Sequence, residues 1–143
     1  MKAVVQQERA GCAIACVAAL AGITYPAAKK AAALLGVSAK APVLWQATRP
    51  VRKLLAHFGL HAGPKEERFV AWEHLPNQAL LATKWHVEKT GPAWHWVVFV
   101  REGPHAYVLD PKKALRTNLR TDFGRMKPKW FIEIKKVANP KRV

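Results

Sequence analysis

Gly-Cys-Ala-Ile-Ala-Cys-Val-Ala-Ala-Leu-Ala-Gly, at residues 11–22, is the part of the chain with the strongest structural signal. The residues between the two glycines are all apolar, which predicts a short buried helix with Gly22 as its stop. Cys12 opens this helix, where the helix dipole and unpaired backbone N–H groups favour the nucleophilic thiolate. The alternative interpretation of Cys12 is a small buried helix residue, as free cysteines often are.

Cys16 lies one turn later on the same predicted helix. It falls inside the helix, without the activation expected at the N-terminus, so we expect a core residue there. The Cys-x3-Cys spacing has no matching Cys/His pair elsewhere in the chain, which argues against zinc. Two cysteines on one helix face also form a poor structural disulfide. We therefore predict reduced thiols and no metal or cofactor.

Helical patterns fill the first half of the chain and strand patterns fill the second half. Two more helices are predicted: one opened by Thr24 or Tyr25 and stopped at Gly36, and one capped by Thr48 and ended by Gly59. Four strands are predicted at 78–85, 94–100, 105–109 and 130–137. The last strand alternates apolar and charged residues, which is typical of a half-exposed strand. Helices followed by strands indicate a single α+β domain over residues 1–143, with an antiparallel sheet.

Composition limits the class of protein. A length of 143 residues fits one domain, and a hydrophobic fraction of 50% excludes disorder for most of the chain. The 2 cysteines exclude a disulfide-built scaffold, and no apolar run approaches the ~20 residues that span a bilayer. Glu8 and Arg9 directly precede the apolar stretch 13–23, which argues against a signal peptide. We predict a cytoplasmic protein without membrane contact and make no prediction of its oligomeric state.

The charge is strongly basic and unevenly distributed. The chain has 24 Lys and Arg against 9 Asp and Glu, a net charge of +15, and +9 of this lies in residues 111–143. Such an excess favours an acidic partner. The candidate contacts to an acidic partner are Lys112, Lys113, Arg116, Arg120 and Arg125. The alternative is a solvated basic surface, and the lack of a nucleic-acid-binding motif makes nucleic acid the less favoured partner.

Two residues of the strand half are candidates for chemistry. His95 opens the most apolar strand and is placed to project into a cleft; the alternative is a core histidine bonded to a carbonyl. Asp110 follows the next strand and precedes Pro111. In a hairpin of these two strands, its carboxylate would return beside His95 and hold the imidazole in one tautomer. The alternative is an ordinary turn aspartate, and Asp122 is expected to lie outside any such site.

Gln6 lies six residues before Cys12, where its amide could help the Cys12 backbone N–H hold an oxyanion. By itself it is an ordinary polar residue. The set resembles the papain-like cysteine peptidases. The residues that carry the resemblance are Gln6, Cys12 at the opening of a helix, His95 on a strand, and Asp110 before Pro111.

A closer resemblance is to the bacteriocin-processing (double-glycine leader) peptidase family. Residues 11–22, followed by Tyr25, are similar to that family's opening helix, and residues 95–98 and 108–111 are similar to its later motifs. The resemblance implies a papain-like fold. A helical half would carry the thiol, a sheet half would carry the histidine and aspartate, and the substrate would bind in the cleft between them.

The resemblance also implies a function and a role for each residue. The chain would be a thiol hydrolase, most directly a cysteine peptidase that cleaves a peptide or isopeptide bond in a peptide or protein substrate. The implied roles are Cys12 as nucleophile, His95 as base, Asp110 as orienting carboxylate and Gln6 as oxyanion donor. Deamidation, transglutamination or removal of a ubiquitin-like tag would use the same groups.

The sequence departs from the family in three ways. Ala13 follows the nucleophile where the family usually has glycine, the domain is expected to stand alone without a transporter, and the C-terminal part is unusually basic. Trp94 and Trp96, which flank His95, are expected to wall the cleft. The alternative from another class is a basic module that binds nucleic acid or an acidic protein on an inactive papain-like scaffold, or a toxin-like nuclease that uses His95.

Overall fold

The computed structural model describes residues 1–41, 44, 46–113 and 115–136, and the structural statements below concern these residues. The helices come first: α1 (Cys12–Ala21), α2 (Tyr25–Leu34) and α3 (Arg49–His57). The strands follow: β1 (Leu60–Ala62), β2 (Glu67–Arg68), β3 (Gln78–Glu88), β4 (Gly91–Glu102), β5 (His105–Leu109), β6 (Leu119–Arg120) and β7 (Trp130–Lys136). The predicted α+β class with an antiparallel sheet is confirmed.

The helix ends follow the sequence signals, with one exception. Gly22 ends α1 in the left-handed region, at a φ of 70°, which favours glycine. Thr24 caps α2, because its hydroxyl oxygen accepts a hydrogen bond from the Ala27 backbone N–H at 3.3 Å. Thr48 precedes α3 as predicted, but its side chain makes no capping bond. Its hydroxyl instead accepts a hydrogen bond from Arg52 Nε at 3.2 Å.

The described strands form one sheet in the order β1-β7-β3-β4-β5-β6, with β2 also paired to β7. β3 and β4 form the central hairpin, in which Leu80 lies opposite Val98, and Val98 also lies opposite Leu109 of β5. All four predicted strands are present, although Val137, the predicted end of the last one, lies outside the described residues. β1, β2 and β6 were not predicted, because two or three residues are too few to show an alternating pattern.

Apolar side chains cover both faces of the sheet, because successive residues of a strand point to opposite faces. The main core joins one face to the helices and includes Ile14 of α1, Leu80 of β3 and Val98 of β4. A smaller cluster on the other face includes Phe99 of β4. Phe131 of β7 packs against this smaller cluster, so the prediction that the last strand has one exposed face is wrong for its first half.

Among the described helices, no single one is both long and apolar enough to cross a membrane. α1 and α2 taken together would meet the length and composition requirement, but the chain bends by 110° between them.

Candidate active site

The loop before α1 fixes the position of Cys12, which is the first residue of that helix. Tyr25 of α2 donates a hydrogen bond to Glu8 Oε2 at 2.6 Å, and Lys29 of α2 pairs with the same carboxylate. Gly11 lies directly against the Tyr25 hydroxyl, and a Cβ atom at Gly11 would collide with that oxygen. The close approach therefore favours glycine at position 11, and these contacts anchor the loop directly before Cys12 to α2.

Gln6 lies beside this loop and ties it to the sheet. Its backbone N–H donates to the Pro111 carbonyl at 3.0 Å. Its side-chain Nε2 donates to the carbonyls of Glu8 and Arg9, at 3.0 and 3.1 Å, whereas the buried Oε1 accepts no hydrogen bond from the part of the chain that the structure describes. Both amide hydrogens are thus engaged within the loop. The oxyanion role predicted for Gln6 stays a prediction, and it requires the amide to turn away from these carbonyls.

The β4–β5 hairpin brings Asp110 beside His95, as the sequence predicted. His95 Nε2 lies 2.7 Å from Asp110 Oδ1. The Thr83 hydroxyl of the neighbouring strand donates to the His95 carbonyl at 2.9 Å, which fixes the histidine backbone. The imidazole is therefore held from both the ring and the main chain.

Asp110 is buried, with a side chain only 1% exposed, and it accepts several hydrogen bonds. Besides His95, it accepts the Lys112 backbone N–H at Oδ1 and Arg120 Nη1 at Oδ2, each at 3.0 Å. Asn118 fixes the Asp110 main chain, since its carbonyl accepts the Asp110 N–H at 2.8 Å and its Nδ2 donates to the Asp110 carbonyl at 2.7 Å. Burial alone would raise the pKa of Asp110, but the hydrogen bonds from His95, Lys112 and Arg120 lower this pKa to about 2.

The interaction with Asp110 shifts the pKa of His95 in the opposite direction, upward. Burial alone would lower the pKa of His95, but its side-chain interactions with Asp110 and Cys12 favour the imidazolium and raise this pKa to about 9. Because Nε2 faces Asp110, the other ring nitrogen, Nδ1, is the one left for the Cys12 sulfur. The three side chains that the sequence singled out are thus brought together in one site.

Cys16 lies in the core, as expected, and forms no disulfide with Cys12, which is also free. Burial raises the pKa of the Cys16 thiol well above its usual value, and the nearby Cys12 and Asp110 raise it further. Cys16 therefore stays a neutral thiol. Within the described part of the chain, no three His, Cys, Asp or Glu side chains form a group that could hold a metal ion.

Arg120 occupies a position that the sequence did not reveal. It was predicted as a contact to an acidic partner, but its guanidinium donates to Asp110 and, through Nε and Nη2, to both carboxylate oxygens of Asp122 at 2.9 and 2.6 Å. Two carboxylates already neutralise Arg120, which leaves it less available to an acidic partner, and its contact to such a partner stays a prediction. Asp122, predicted to lie outside the site, supports it through Arg120. The side chains of Lys112, Lys113, Arg116 and Arg125 are exposed, and their contact to an acidic partner stays a prediction.

The two tryptophans that flank His95 are buried. Trp96 is 0% exposed, donates its indole N–H to the Leu44 carbonyl at 2.8 Å, and packs edge-on against Trp94 and Trp130. The prediction that Trp96 walls a substrate cleft is therefore wrong, since it is a core residue. Trp94 is 8% exposed and its buried indole N–H has no hydrogen-bond partner among the described residues, so its predicted role at the cleft stays a prediction.

Comparison with known proteins identifies the fold. The sequence matches no protein-family model and no curated protein at a significant level. Among solved structures, the chain is similar to a double glycine motif protease from an AMS/PCAT transporter, whose structure contains the leader peptide. The TM-score is 0.60 at 18% identity, and the match covers 95% of this chain and 91% of that chain. The predicted resemblance is confirmed at the level of the fold: this chain has the papain-like α+β fold of a double-glycine leader peptidase domain.

Proposed function

We propose that this chain is a cysteine peptidase in which Cys12 attacks the carbonyl of a peptide or isopeptide bond. The observation that carries the proposal is the pair of His95 and the buried Asp110, joined at 2.7 Å, with Cys12 at the start of α1 helping to raise the pKa of His95. The fold supports it, because the similar domain is a protease bound to a leader peptide. We therefore infer a peptide or protein substrate for this chain as well.

In the proposed mechanism, His95 Nδ1 already holds the proton given up by Cys12 before the substrate binds, since a His95 pKa of about 9 keeps the imidazole protonated at neutral pH. The thiolate then attacks the substrate carbonyl carbon, and a tetrahedral oxyanion forms. Two groups are suited to hold this oxyanion: the Cys12 backbone N–H at the start of α1, and the Gln6 amide once it has turned from the carbonyls of Glu8 and Arg9.

Collapse of the intermediate breaks the C–N bond. The His95 imidazolium gives its proton to the leaving amine, and Cys12 is left as a thioester. Water then attacks the thioester while His95 takes its proton, and the thiol is released with the carboxylic acid product. Asp110 stays ionised throughout, because its pKa of about 2 lies far below neutrality, and it holds the Nε2 proton of His95.

We do not favour the alternative of a nucleic-acid or acidic-protein binding module on an inactive scaffold. One of its predicted contacts, Arg120, is engaged by two carboxylates. The buried Asp110 carboxylate bonded to His95 is also the arrangement by which catalytic histidines are oriented, which favours an enzyme over an inactive scaffold.

The proposal is tested with a mixture of peptides derived from a proteome. Wild-type protein, Cys12→Ser and Cys16→Ala are each incubated with the mixture, and new peptide termini are identified by mass spectrometry. We expect wild type and Cys16→Ala to produce the same new termini and Cys12→Ser to produce none of them. The same termini with Cys12→Ser at equal folding, judged by circular dichroism, would contradict the proposal.

A further inference from the structure

A pocket of about 420 Å³ opens beside the Asp110 end of the site. Arg120, which bonds to Asp110, forms part of its wall, and Thr83, which holds the His95 carbonyl, forms another part. The other charged residues of its wall are all cationic: Lys84, Arg125, Lys127 and Lys129. We call this feature the cationic pocket.

The charge of the cationic pocket is unbalanced. Arg120 is neutralised by Asp110 and Asp122, but the other four cations of the wall form no ion pair within the described residues. Lys129 Nζ lies 3.7 Å from the centre of the Trp85 ring, a cation–π contact that leaves its charge in place. The pocket therefore offers several positive charges on a partly apolar wall, which suits an anionic ligand.

Lys84 places its positive charge in the cationic pocket from an unusual backbone conformation and close to another cation. It lies at the irregularity in β3 between Thr83 and His86, and its φ of 53° is a left-handed conformation that no other described non-glycine residue adopts. Burial lowers the pKa of Lys84, and the neighbouring Lys112 lowers it further by repulsion between like charges. The carboxylate of Asp110 is close but already accepts hydrogen bonds from three groups. Left-handed non-glycine residues and clusters of like charge are features of functional sites, which makes this pocket a candidate binding site.

We propose that the cationic pocket binds an acidic side chain, Asp or Glu, of the peptide substrate, close to the scissile bond. The proposal rests on the proposed peptidase function, because it uses the shared wall between the pocket and the Asp110–His95 pair. A single carboxylate fits a compact concave pocket. A nucleic acid instead needs an extended groove that follows successive phosphates, which makes it the less suitable occupant.

The binding test uses the full chain with Cys12→Ser, so that a bound peptide is not consumed. Fluorescein-labelled hexaglutamate and hexaglutamine peptides are titrated at physiological salt and followed by fluorescence anisotropy. The pocket variant is Lys84→Asn with Lys127→Gln, since asparagine tolerates the left-handed backbone at position 84. The control variant is Lys30→Gln with Lys40→Gln, which removes the same charge from exposed positions in the helical half.

We expect hexaglutamate to bind at least about tenfold more tightly than hexaglutamine, and the pocket variant to lose at least about fivefold of that affinity. The control variant should change the affinity for hexaglutamate by less than about twofold, because solvent-screened surface charges contribute little to binding. Equal losses in both variants, or none in the pocket variant, would overturn the proposal. It would also be overturned if an oligo-dT strand bound more tightly than hexaglutamate and lost its affinity in the pocket variant.

The cleavage test separates this proposal from the peptidase function. With wild-type protein and the peptide mixture, we expect Asp or Glu to be enriched at one fixed position relative to the cleaved bonds, and the enrichment to disappear in the pocket variant. Cleavage without acidic preference would overturn the pocket and leave the peptidase standing. Pocket-dependent binding of hexaglutamate without any cleavage would overturn the peptidase and leave the pocket as a binding site.

Discussion

Asp110 keeps its charge while buried because His95, Arg120 and the Lys112 backbone N–H all donate to it. The same contacts fix the orientation of the Asp110 carboxylate toward His95, since the carboxylate cannot turn to another donor without losing one of these hydrogen bonds. Arg120 therefore acts on the chemistry only through Asp110. The negative charge of Asp110, more than the shape of its side chain, stabilises the His95 imidazolium.

We expect Asp110→Asn to lower kcat by about 10³- to 10⁴-fold with the fold intact, because an amide cannot stabilise the imidazolium and favours the wrong tautomer. The pKa of His95, followed by NMR, should fall from about 9 at the same time. Asp122→Asn is the matched control. It leaves the bond between Asp110 and His95 in place, so its loss should stay below about tenfold. Full activity in Asp110→Asn would remove Asp110 from the mechanism.

At the scale of elements, local sequence signals predicted the helices and the long strands correctly. The pairing of the short strands could not be predicted from such signals. α1 was predictable because an apolar run ends at Gly22, and the β4–β5 hairpin because two strand patterns are separated by a short turn. The meeting of His95 and Asp110 followed from that hairpin. Arg120 could not be found, because its approach depends on β6, two residues long, pairing Val108 with Arg120.

Two other site predictions failed or stayed open for physical reasons. Trp96 is buried with Val98 and Val100, and the unbroken apolar run from Trp96 to Val100 was a signal that could have identified it as a core residue. The Gln6 side chain is directed by two carbonyls of the loop, Glu8 and Arg9, and no sequence pattern reports which way loop carbonyls point. The sequence thus contains the residue types of the site, while their orientation depends on the tertiary structure.

The contact between the loop and α2 gives a prediction at this scale. Gly11→Ala places a Cβ against the Tyr25 hydroxyl, so the loop or α2 must move. We expect a loss of about 1–3 kcal/mol in the free energy of unfolding, measured by urea denaturation, and lower peptidase activity. In a Tyr25→Phe background, which removes the hydroxyl oxygen, the same substitution should cost less. Equal costs in both backgrounds would show that this contact does not set the position of Cys12.

For the whole molecule, the Asp110–His95 pair links stability to pH. The pKa of His95 is raised from 6.5 to about 9, so its contribution is fully present below pH 6.5 and is lost as pH rises through 9. The pKa of Asp110 is lowered from 3.8 to about 2, so its contribution is present above pH 3.8 and is lost as pH falls through 2. The His95–Asp110 interaction contributes to both shifts and is counted once, whereas Cys12 adds to the shift of His95, and Lys112 and Arg120 add to that of Asp110.

We therefore expect the free energy of unfolding to fall between pH 6.5 and 9, as measured by urea denaturation across this range. Asp110→Asn should make this decrease in stability smaller, because the pKa of His95 in the folded variant would lie closer to its pKa in the unfolded variant. Peptidase activity should also decline above pH 9, where His95 loses the proton that the leaving amine needs. An unchanged alkaline profile in Asp110→Asn would show that another group causes it.

Cys12 and Cys16 offer the sharpest comparison in the molecule, because both are buried on one helix and Cys12 is the one that helps to raise the pKa of His95. The decisive measurement is the rate of alkylation of each cysteine by iodoacetamide at pH 7 in the native protein, resolved by peptide mapping. Cys12 should react at least ~100-fold faster than Cys16, and His95→Ala should slow Cys12 by at least about tenfold without changing Cys16. Equal rates at the two cysteines, or a Cys12 rate that does not depend on His95, would contradict a nucleophile activated by the Asp110–His95 pair.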